Sequence, residues 1–229
     1  MSEPERRAAY LQALGIDEWV LRHPVRTLSS PTVDDQQTAA AAAVSDPWLV
    51  LRERVAQCTR CSLHQGRTQT VFGVGDSRAD WMVVGEAPGA EEDLRGEPFV
   101  GAAGQLLNAM LAAIDLPRET VFIANILKCR PPENRDPAVE EVAQCLPYLQ
   151  QQVELVQPRI ILAFGRIAAQ NLLGTDQPLG KLRGTVHHFG PQRVPVVVTY
   201  HPAYLLRSPN EKRKAWEDLK FARHIFSEL

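Results

Sequence analysis

Four acidic side chains follow an apolar run in the stretch WMVVGEAPGAEED, residues 81–93. Glycine-rich turns after a strand commonly bind phosphate, but carboxylates repel a phosphate group. The acidic members of this turn are Glu86, Glu91, Glu92 and Asp93. The turn is therefore not a typical phosphate loop, and these residues alone leave its ligand open.

The four cysteines form a second candidate site. Cys58 and Cys61 make a C-x-x-C pair, whereas Cys129 and Cys145 stand apart from it and from each other. Buried structural thiols, a zinc site and an iron–sulfur cluster are all possible interpretations. One tight pair with two dispersed cysteines suits a cubane best, because its four irons lie at four separate corners. The spacing alone leaves the three alternatives open.

A histidine–proline pair begins the stretch HPAYLLRSPNEKRK, residues 201–214. The proline restricts the backbone of His201, which helps to fix the direction of its imidazole. The apolar and cationic residues that follow form either a solvated helix face or a loop that inserts into a nucleic-acid duplex while cations contact its phosphates.

The elements that must position these residues follow an alternating pattern. Four apolar, β-branched runs predict strands at Trp81–Val84, Val121–Ile126, Arg159–Phe164 and Val194–Thr199. Helical patterns separate or follow them at Ala102–Leu116, Pro137–Val156, Ile167–Leu173 and Asn210–Leu229, with Asp136 as the predicted cap of the second helix. This alternation predicts an α/β fold with three α/β/α layers and a central four-stranded, mostly parallel sheet. Ligands of such sheets bind at the carboxyl ends of the strands, where the candidate residues lie.

Composition and length set the remaining limits. The chain has 229 residues, 45% of them hydrophobic and 23% charged, with a net charge of −2, which argues against a uniformly basic nucleic-acid binder. The chain has no apolar run near the roughly 20 residues of a membrane helix and no signal-peptide pattern, so we expect a cytoplasmic protein. We predict a helical appendage over residues 1–26, a flexible linker over 27–46 and one domain over 47–229.

Five segments together resemble one known family. They read CTRC, GEAPGAEEDLRGEPFVGAAGQLL, FIANILKCRPPENRDP, CLPYL and TYHPAYLLR, in this order along the chain. Over residues 47–229 they are similar to the family 4 (iron–sulfur) uracil-DNA glycosylases. The resemblance implies a monofunctional DNA glycosylase that flips uracil out of DNA, hydrolyses its N-glycosidic bond and leaves an abasic site. Its substrate would be uracil-containing DNA, single- or double-stranded, bound by a monomer.

The resemblance implies roles for residues in the pocket. Glu86 matches the acidic residue that orients the attacking water, and His201 matches the histidine that stabilises the departing uracil anion. The residues matched to substrate binding are Ala87, Glu92, Phe99 and Asn125, of which Phe99 would stack on the base, Asn125 would read its edge and Glu92 would exclude the methyl group of thymine.

The resemblance also implies DNA contacts and a cofactor. Leu205, Leu206 and Arg207 match the loop that fills the space left by the flipped base. Backbone N–H groups of Gly101, Gly104 and Gln105 would bind phosphate, with help from Lys128 and Arg130. Cys58, Cys61, Cys129 and Cys145 match the ligands of a [4Fe–4S] cluster.

Two alternative functions and two further observations accompany this interpretation. A non-catalytic iron–sulfur DNA-binding module and a glycosylase for hypoxanthine share much of the pattern. Some relatives bond covalently to DNA through a histidine after the second strand, and KCRPPENRDP lacks one. The His187–His188 pair is interpreted as part of a structural hairpin or loop before the last strand.

Overall fold

The structure is a computed structural model and describes residues 46–229. The predicted helical appendage over residues 1–26 lies outside this range, as does the predicted linker over 27–46 apart from its last residue. That residue, Asp46, caps helix α1 (Pro47–Ala56), because its Oδ1 accepts a hydrogen bond of 3.0 Å from the backbone N–H two residues on.

A six-stranded sheet forms the centre of the fold. Its strands are β1 (Val74–Gly75), β2 (Trp81–Gly85), β3 (Phe122–Asn125), β4 (Ile160–Phe164), β5 (His187–Phe189) and β6 (Val194–Thr199). They lie in the order β1-β3-β2-β4-β6-β5. The four inner strands are parallel to one another, and each outer strand is antiparallel to its neighbour.

The mostly parallel sheet of the sequence prediction is confirmed, and its four strands are the inner ones. The structure adds two strands to the predicted four, at the two edges. β1 has two residues and β5 has three, so neither is long enough to produce an apolar run in the sequence. His187 and His188 belong to β5 and pair with β6, where the Nε2 of His187 lies 2.8 Å from the carbonyl oxygen of Leu182.

Helices cover both faces of the sheet. In the described part of the chain they are α1, α2 (Ala90–Arg95), α3 (Ala102–Ala112), α4 (Val139–Val156), α5 (Arg166–Leu173), α6 (Leu179–Leu182), α7 (Pro202–Arg207) and α8 (Lys212–Ser227). Met82 and Val84 of β2 pack with α1, α4 and α5, whereas Trp81 and Val83 pack with α3 and α8. The alternation of side chains along each strand therefore produces two cores and three layers. No helix among these residues is long and apolar enough to cross a membrane.

One predicted helix begins differently from the expectation. The helix predicted from Pro137 with Asp136 as its cap begins at Val139. The Ala138 N–H donates to the carboxylate of Glu141 at 2.8 Å, so an acid inside the first turn satisfies the helix terminus. The capping role predicted for Asp136 is therefore wrong.

A buried carboxylate fixes the end of β6. Asp218 of α8 is 3% exposed and accepts hydrogen bonds from Arg183 at 2.7 and 2.9 Å. It also accepts one of 2.7 Å from the hydroxyl of Thr199, the last residue of β6. Because His201 follows two residues later, this group anchors the start of the histidine loop to α8.

We predict that Asp218→Ala lowers the free energy of unfolding by about 3–5 kcal/mol, because it leaves the guanidinium of Arg183 without its buried partner. Denaturant titration measures this. The control is Glu154→Ala, which removes an exposed carboxylate of helix α4. We expect that change to stay within about 0.5 kcal/mol of the parent protein. Equal losses in the two variants would contradict the anchoring role.

Candidate active site

A cavity of about 290 Å³ opens at the carboxyl edge of the parallel strands. Glu86, Asn125 and His201 all line it. Glu86 follows β2 directly, Asn125 ends β3, and His201 lies two residues beyond β6. The parallel register aligns Gly85 with Asn125, so these strands end at the same level. The structure thus brings together the three side chains on which the sequence interpretation depends.

Phe99 forms an aromatic wall of this cavity. Its ring lies 5.5 Å from the imidazole of His201, with 29° between the two planes. Its backbone has a φ of 54°, a region in which a bulky residue is strained. Gly104 makes this backbone position possible, since a Cβ there would lie 1.8 Å from the Phe99 carbonyl oxygen. Gly85 similarly leaves space for the ring, because its Cβ would lie 2.6 Å from the Phe99 Cζ.

Asn125 carries an unsatisfied acceptor. The residue is 2% exposed, and its Oδ1 has no hydrogen-bond partner among residues 46–229. A buried acceptor without a partner costs about 1–3 kcal/mol. Since Asn125 lines the cavity, a ligand that donates a hydrogen bond would recover this cost.

His201 is a neutral hydrogen-bond donor. Its Nδ1 accepts a hydrogen bond of 3.2 Å from the Ala203 N–H, so the neutral imidazole carries its proton on Nε2. Burial lowers the pKa of His201 to about 4, and the charge of Arg207 adds to this effect while Glu92 opposes it. Near neutral pH this ring donates without carrying a charge.

Glu86 changes its protonation near neutral pH. Burial and, to a smaller extent, the charge of Asp136 raise its pKa to about 7, against the opposing effect of Arg166. Asp136 and Arg166 form an ion pair of 2.6 Å on the surface nearby. Glu86 can therefore accept a proton from a water molecule, because its pKa lies close to the working pH.

Two of the other three acids of the turn, Glu92 and Asp93, hold the backbone together. Glu92 lines the cavity and accepts hydrogen bonds from the N–H groups of Gly89, Val100 and Gly101 at 3.0–3.3 Å. Asp93 is buried and accepts from the Thr68 N–H with both oxygens, and Glu91 forms an exposed pair with Arg95. Glu92 thus fixes the loop around the cavity, which Ala87 also lines.

Two of the three backbone N–H groups of the phosphate site predicted at the start of α3 already have partners within the protein. The Gly101 N–H donates to Glu92, and the Gln105 N–H donates to the Gly101 carbonyl. Gly104 is buried against the backbone of Phe99. The side chain of Gln105 is exposed and can reach a bound strand.

Two further residues predicted to contact DNA are buried in this structure. Leu205 is 1% exposed and belongs to the core beneath α3 and α8, whereas Leu206 is 44% exposed. Lys128 is 1% exposed, and its ammonium donates inward, to the Asn125 carbonyl at 2.8 Å and to Gln152 at 2.6 Å. Leu206 and Arg207 remain at the surface, and Arg207 also lines the cavity.

Sequence reasoning missed Asn134 and Pro131 as pocket residues. Both line the cavity, in the loop that follows Cys129. Asn134 has a φ of 54°, and its Oδ1 accepts a hydrogen bond of 2.8 Å from Arg130. Asparagine tolerates this left-handed conformation better than most residues, so the PPEN segment was a signal for an unusual turn.

The four cysteines line a second cavity, together with Lys128 and Arg67. Within the described chain no three His, Cys, Asp or Glu side chains are grouped so as to hold a single metal ion. A cubane needs something else, namely one cysteine for each of four irons around a shared space. Arg67 donates to the Cys129 sulfur at 3.1 Å, and the Lys128 N–H donates to the Cys145 sulfur at 3.2 Å. Burial raises the pKa of Cys145 to about 11, so bound metal would be needed to hold it as a thiolate. The donor set therefore fits an iron–sulfur cluster.

We predict that Arg207→Gln raises the pKa of His201, because it removes a cation that disfavours the imidazolium. NMR titration of the ring nitrogens measures this and also identifies the protonated nitrogen, which we expect to be Nε2. Arg213→Gln is the control, since Arg213 pairs with Glu217 on α8. A His201 pKa that responds equally to both changes, or to neither, would contradict the electrostatic argument.

Comparison with known proteins agrees with this geometry. A family model described as the uracil DNA glycosylase superfamily matches residues 72–220. A type-4 uracil-DNA glycosylase of Archaeoglobus fulgidus is 46% identical over 178 residues, covering 75% of this chain and 88% of the relative. One of Thermotoga maritima is 42% identical over 178 residues, covering 76% and 92%. A type-5 uracil-DNA glycosylase of Pyrobaculum aerophilum is 34% identical over 149 residues, covering 57% and 64%. The chain therefore belongs to the uracil-DNA glycosylase superfamily, among its type-4 members.

Proposed function

We propose that the protein hydrolyses the N-glycosidic bond of uracil in DNA and leaves an abasic site, as a monofunctional glycosylase of base excision repair. The names of the relatives indicate uracil and DNA. The observation that carries the proposal to this chain is the pairing of an unsatisfied Asn125 oxygen with a donating His201 ring in one cavity. A flipped pyrimidine offers a donor and acceptors in matching positions.

Asn125 selects uracil by the polarity of its amide. Its Oδ1 accepts from the N3–H of uracil, and its Nδ2 donates to O4. Cytosine has an acceptor at N3 and a donor at position 4, so both contacts would become mismatched. Two mismatched buried contacts disfavour cytosine on the order of a hundredfold or more.

Glu92 supports the exclusion of thymine. Three backbone hydrogen bonds hold its carboxylate in the cavity wall. A side chain held this firmly cannot move aside for the methyl group that distinguishes thymine from uracil. Phe99 stacks its ring on the face of the base. This stacking depends on the shape of the base and does not respond to the methyl group of thymine.

His201 stabilises the leaving group. As the C1′–N1 bond breaks, its electron pair passes to uracil and develops negative charge at O2. A donor placed at O2 stabilises the transition state more than the bound substrate, because the negative charge on O2 grows as the bond breaks. The buried imidazole has a low pKa and donates its Nε2–H while remaining neutral.

Glu86 acts on the attacking water molecule and on the sugar. Its ionised carboxylate orients a water molecule toward C1′ and stabilises the positive charge that develops on the sugar. The water oxygen bonds to C1′, Glu86 accepts the released proton, and the uracil anion takes up a proton from solvent. The acidic turn thus orients a water molecule and stabilises a cationic sugar, which explains why its sequence is not that of a phosphate loop.

Different residues contact the DNA and hold the cluster. Leu206 is exposed beside the cavity and fills the space left by the flipped nucleotide, while Arg207 and Gln105 contact the strand. Cys58, Cys61, Cys129 and Cys145 would hold a [4Fe–4S] cluster. The bound cluster would supply a structural tie between the segment before β1, the loop after β3 and helix α4.

Release of uracil from a uracil-containing oligonucleotide tests the proposal. We expect an abasic product whose backbone stays intact until alkali is added, because the proposed mechanism uses water and no lysine nucleophile. Oligonucleotides with hypoxanthine, cytosine and thymine in the same position provide the comparison. Binding of uracil-containing DNA without release would instead indicate a non-catalytic module.

The pH dependence of uracil release tests Glu86. The ionised carboxylate is the active form, so we expect the single-turnover rate to rise tenfold per pH unit below the Glu86 pKa of about 7 and to level off above it. Glu86→Gln should reduce the plateau rate by about 10²–10⁴-fold and remove this dependence, while DNA binding is retained. Glu91→Gln, an exposed acid of the same turn, is the control and should keep both. Persistence of the acidic limb in Glu86→Gln would assign it to another group.

Selectivity for uracil tests Asn125. Asn125→Asp replaces the donating Nδ2 by an oxygen that can accept from the cytosine amino group. We expect measurable cytosine excision and a loss of about tenfold or more on uracil. Asn125→Ala, which lacks both groups, should lose uracil activity without gaining cytosine activity. Strict uracil preference in Asn125→Asp would argue against edge reading by this side chain.

Iron content tests the cysteine site. We expect Cys129→Ser to lose the brown colour and to lower the melting temperature by about 5 °C or more, because the metal bonds stabilise the fold. Thr59→Ser, an exposed change inside the C-x-x-C segment, should keep both. Full iron content and unchanged stability in Cys129→Ser would mean that Cys129 is not a ligand.

A further inference from the structure

A buried lysine connects the two cavities. Lys128 follows Asn125 by three residues and is 1% exposed, although it carries an ammonium group. A buried ammonium group costs several kcal/mol unless neighbouring groups compensate it. Uracil release as proposed above gives this residue no task, so its contacts need another explanation.

The ammonium group of Lys128 is directed toward the base-reading residue. It donates to the main-chain carbonyl of Asn125 at 2.8 Å and to the Oε1 of Gln152 at 2.6 Å. Gln152 is fully buried in α4, and its Nε2 donates to the Phe72 carbonyl at 2.8 Å. The carbonyl that ends β3 is therefore linked by hydrogen bonds to α4 and to the segment before β1.

The backbone of Lys128 is directed toward the cysteines. Its N–H donates to the Cys145 sulfur at 3.2 Å, and its carbonyl accepts from the Val71 N–H at 2.8 Å. Lys128 also lines the cavity of the four cysteines and precedes Cys129 directly. No carboxylate forms an ion pair with it within residues 46–229. The groups around its charge are therefore carbonyl dipoles on one side and cysteine sulfurs on the other.

We propose that Lys128 is a positioning residue, which clamps the Asn125 main chain and thereby sets the depth of the Asn125 amide in the pocket according to the position of the cysteine-bearing segments. This inference rests on the proposed function. Asn125 is the last residue of β3, so a small shift of its backbone would move the amide relative to a bound base. A displacement of about 1 Å in a reading group can cost on the order of a hundredfold in rate.

Lys128→Met tests the clamp, because methionine keeps an unbranched apolar stem and removes the ammonium group. We expect the single-turnover rate of uracil release to fall by about tenfold or more. We also expect the affinity for free uracil, measured by calorimetry without turnover, to fall about tenfold, with DNA affinity changed less than about twofold. Lys181→Met, the same change at an exposed lysine of α6, is the control and should leave every value unchanged.

A purely structural role predicts a different result. It would reduce iron content and melting temperature, but the iron-loaded, folded fraction would keep the parent rate constant and the parent affinity for free uracil. That outcome would overturn the clamp. If the parent protein neither releases nor binds uracil, the proposed function fails instead, so the two failures are distinguishable.

A second variant covers the case in which Lys128→Met does not fold. Gln152→Glu has nearly the same size and gives the ammonium group a carboxylate that competes with the Asn125 carbonyl. We expect a fall of about threefold in uracil affinity with iron content retained. Unchanged uracil affinity in iron-loaded Gln152→Glu would contradict the clamp.

Discussion

The shared register of the parallel strands is the constraint on which the site depends. β2 and β3 end side by side, at Gly85 and Asn125, and β6 ends beside β4 at Thr199. Because parallel strands present their carboxyl ends at one edge, side chains far apart in sequence meet there without any long connecting loop. Hydrogen bonds with two buried side chains fix two of these strand ends. Asp218 holds the end of β6, and the Lys128 ammonium holds the end of β3.

Burial then sets the protonation state of two side chains in the cavity, His201 and Glu86. It disfavours charge on both, so the pKa of the imidazole falls to about 4 and that of the carboxyl group rises to about 7. The consequences differ. His201 becomes a permanently neutral donor over the working pH range, whereas Glu86 can take up a proton during a reaction. The same low-dielectric pocket thus makes one side chain a neutral hydrogen-bond donor and the other a base.

Much of this arrangement could be predicted from sequence, because apolar β-branched runs mark buried parallel strands and the candidate residues follow them directly. Burial of individual loop residues could not be predicted in the same way. Leu205 and Leu206 are identical in type, and only the path of α7 decides that one enters the core and the other faces solvent. The N–H of Gly101 lies at a helix start, yet a carboxylate nine residues earlier already occupies it. Lys128 resembled a surface cation because a charged residue is rarely buried without a partner. The edge strands could not be predicted, because two or three residues are too few to show the alternation of apolar and polar side chains that marks a strand.

Those same edge strands have a consequence for the behaviour of the protein in a crowded solution. A long, flat and unpaired sheet edge recruits strands from other molecules and promotes aggregation. Here the inner sheet is closed on each side by an antiparallel segment of two or three residues. At Gly75 in β1 the backbone lies so close to Val121 that a Cβ would fall 1.8 Å from its carbonyl oxygen. Segments this short offer too few free backbone groups to extend the sheet, so the domain is protected against fibril-like association.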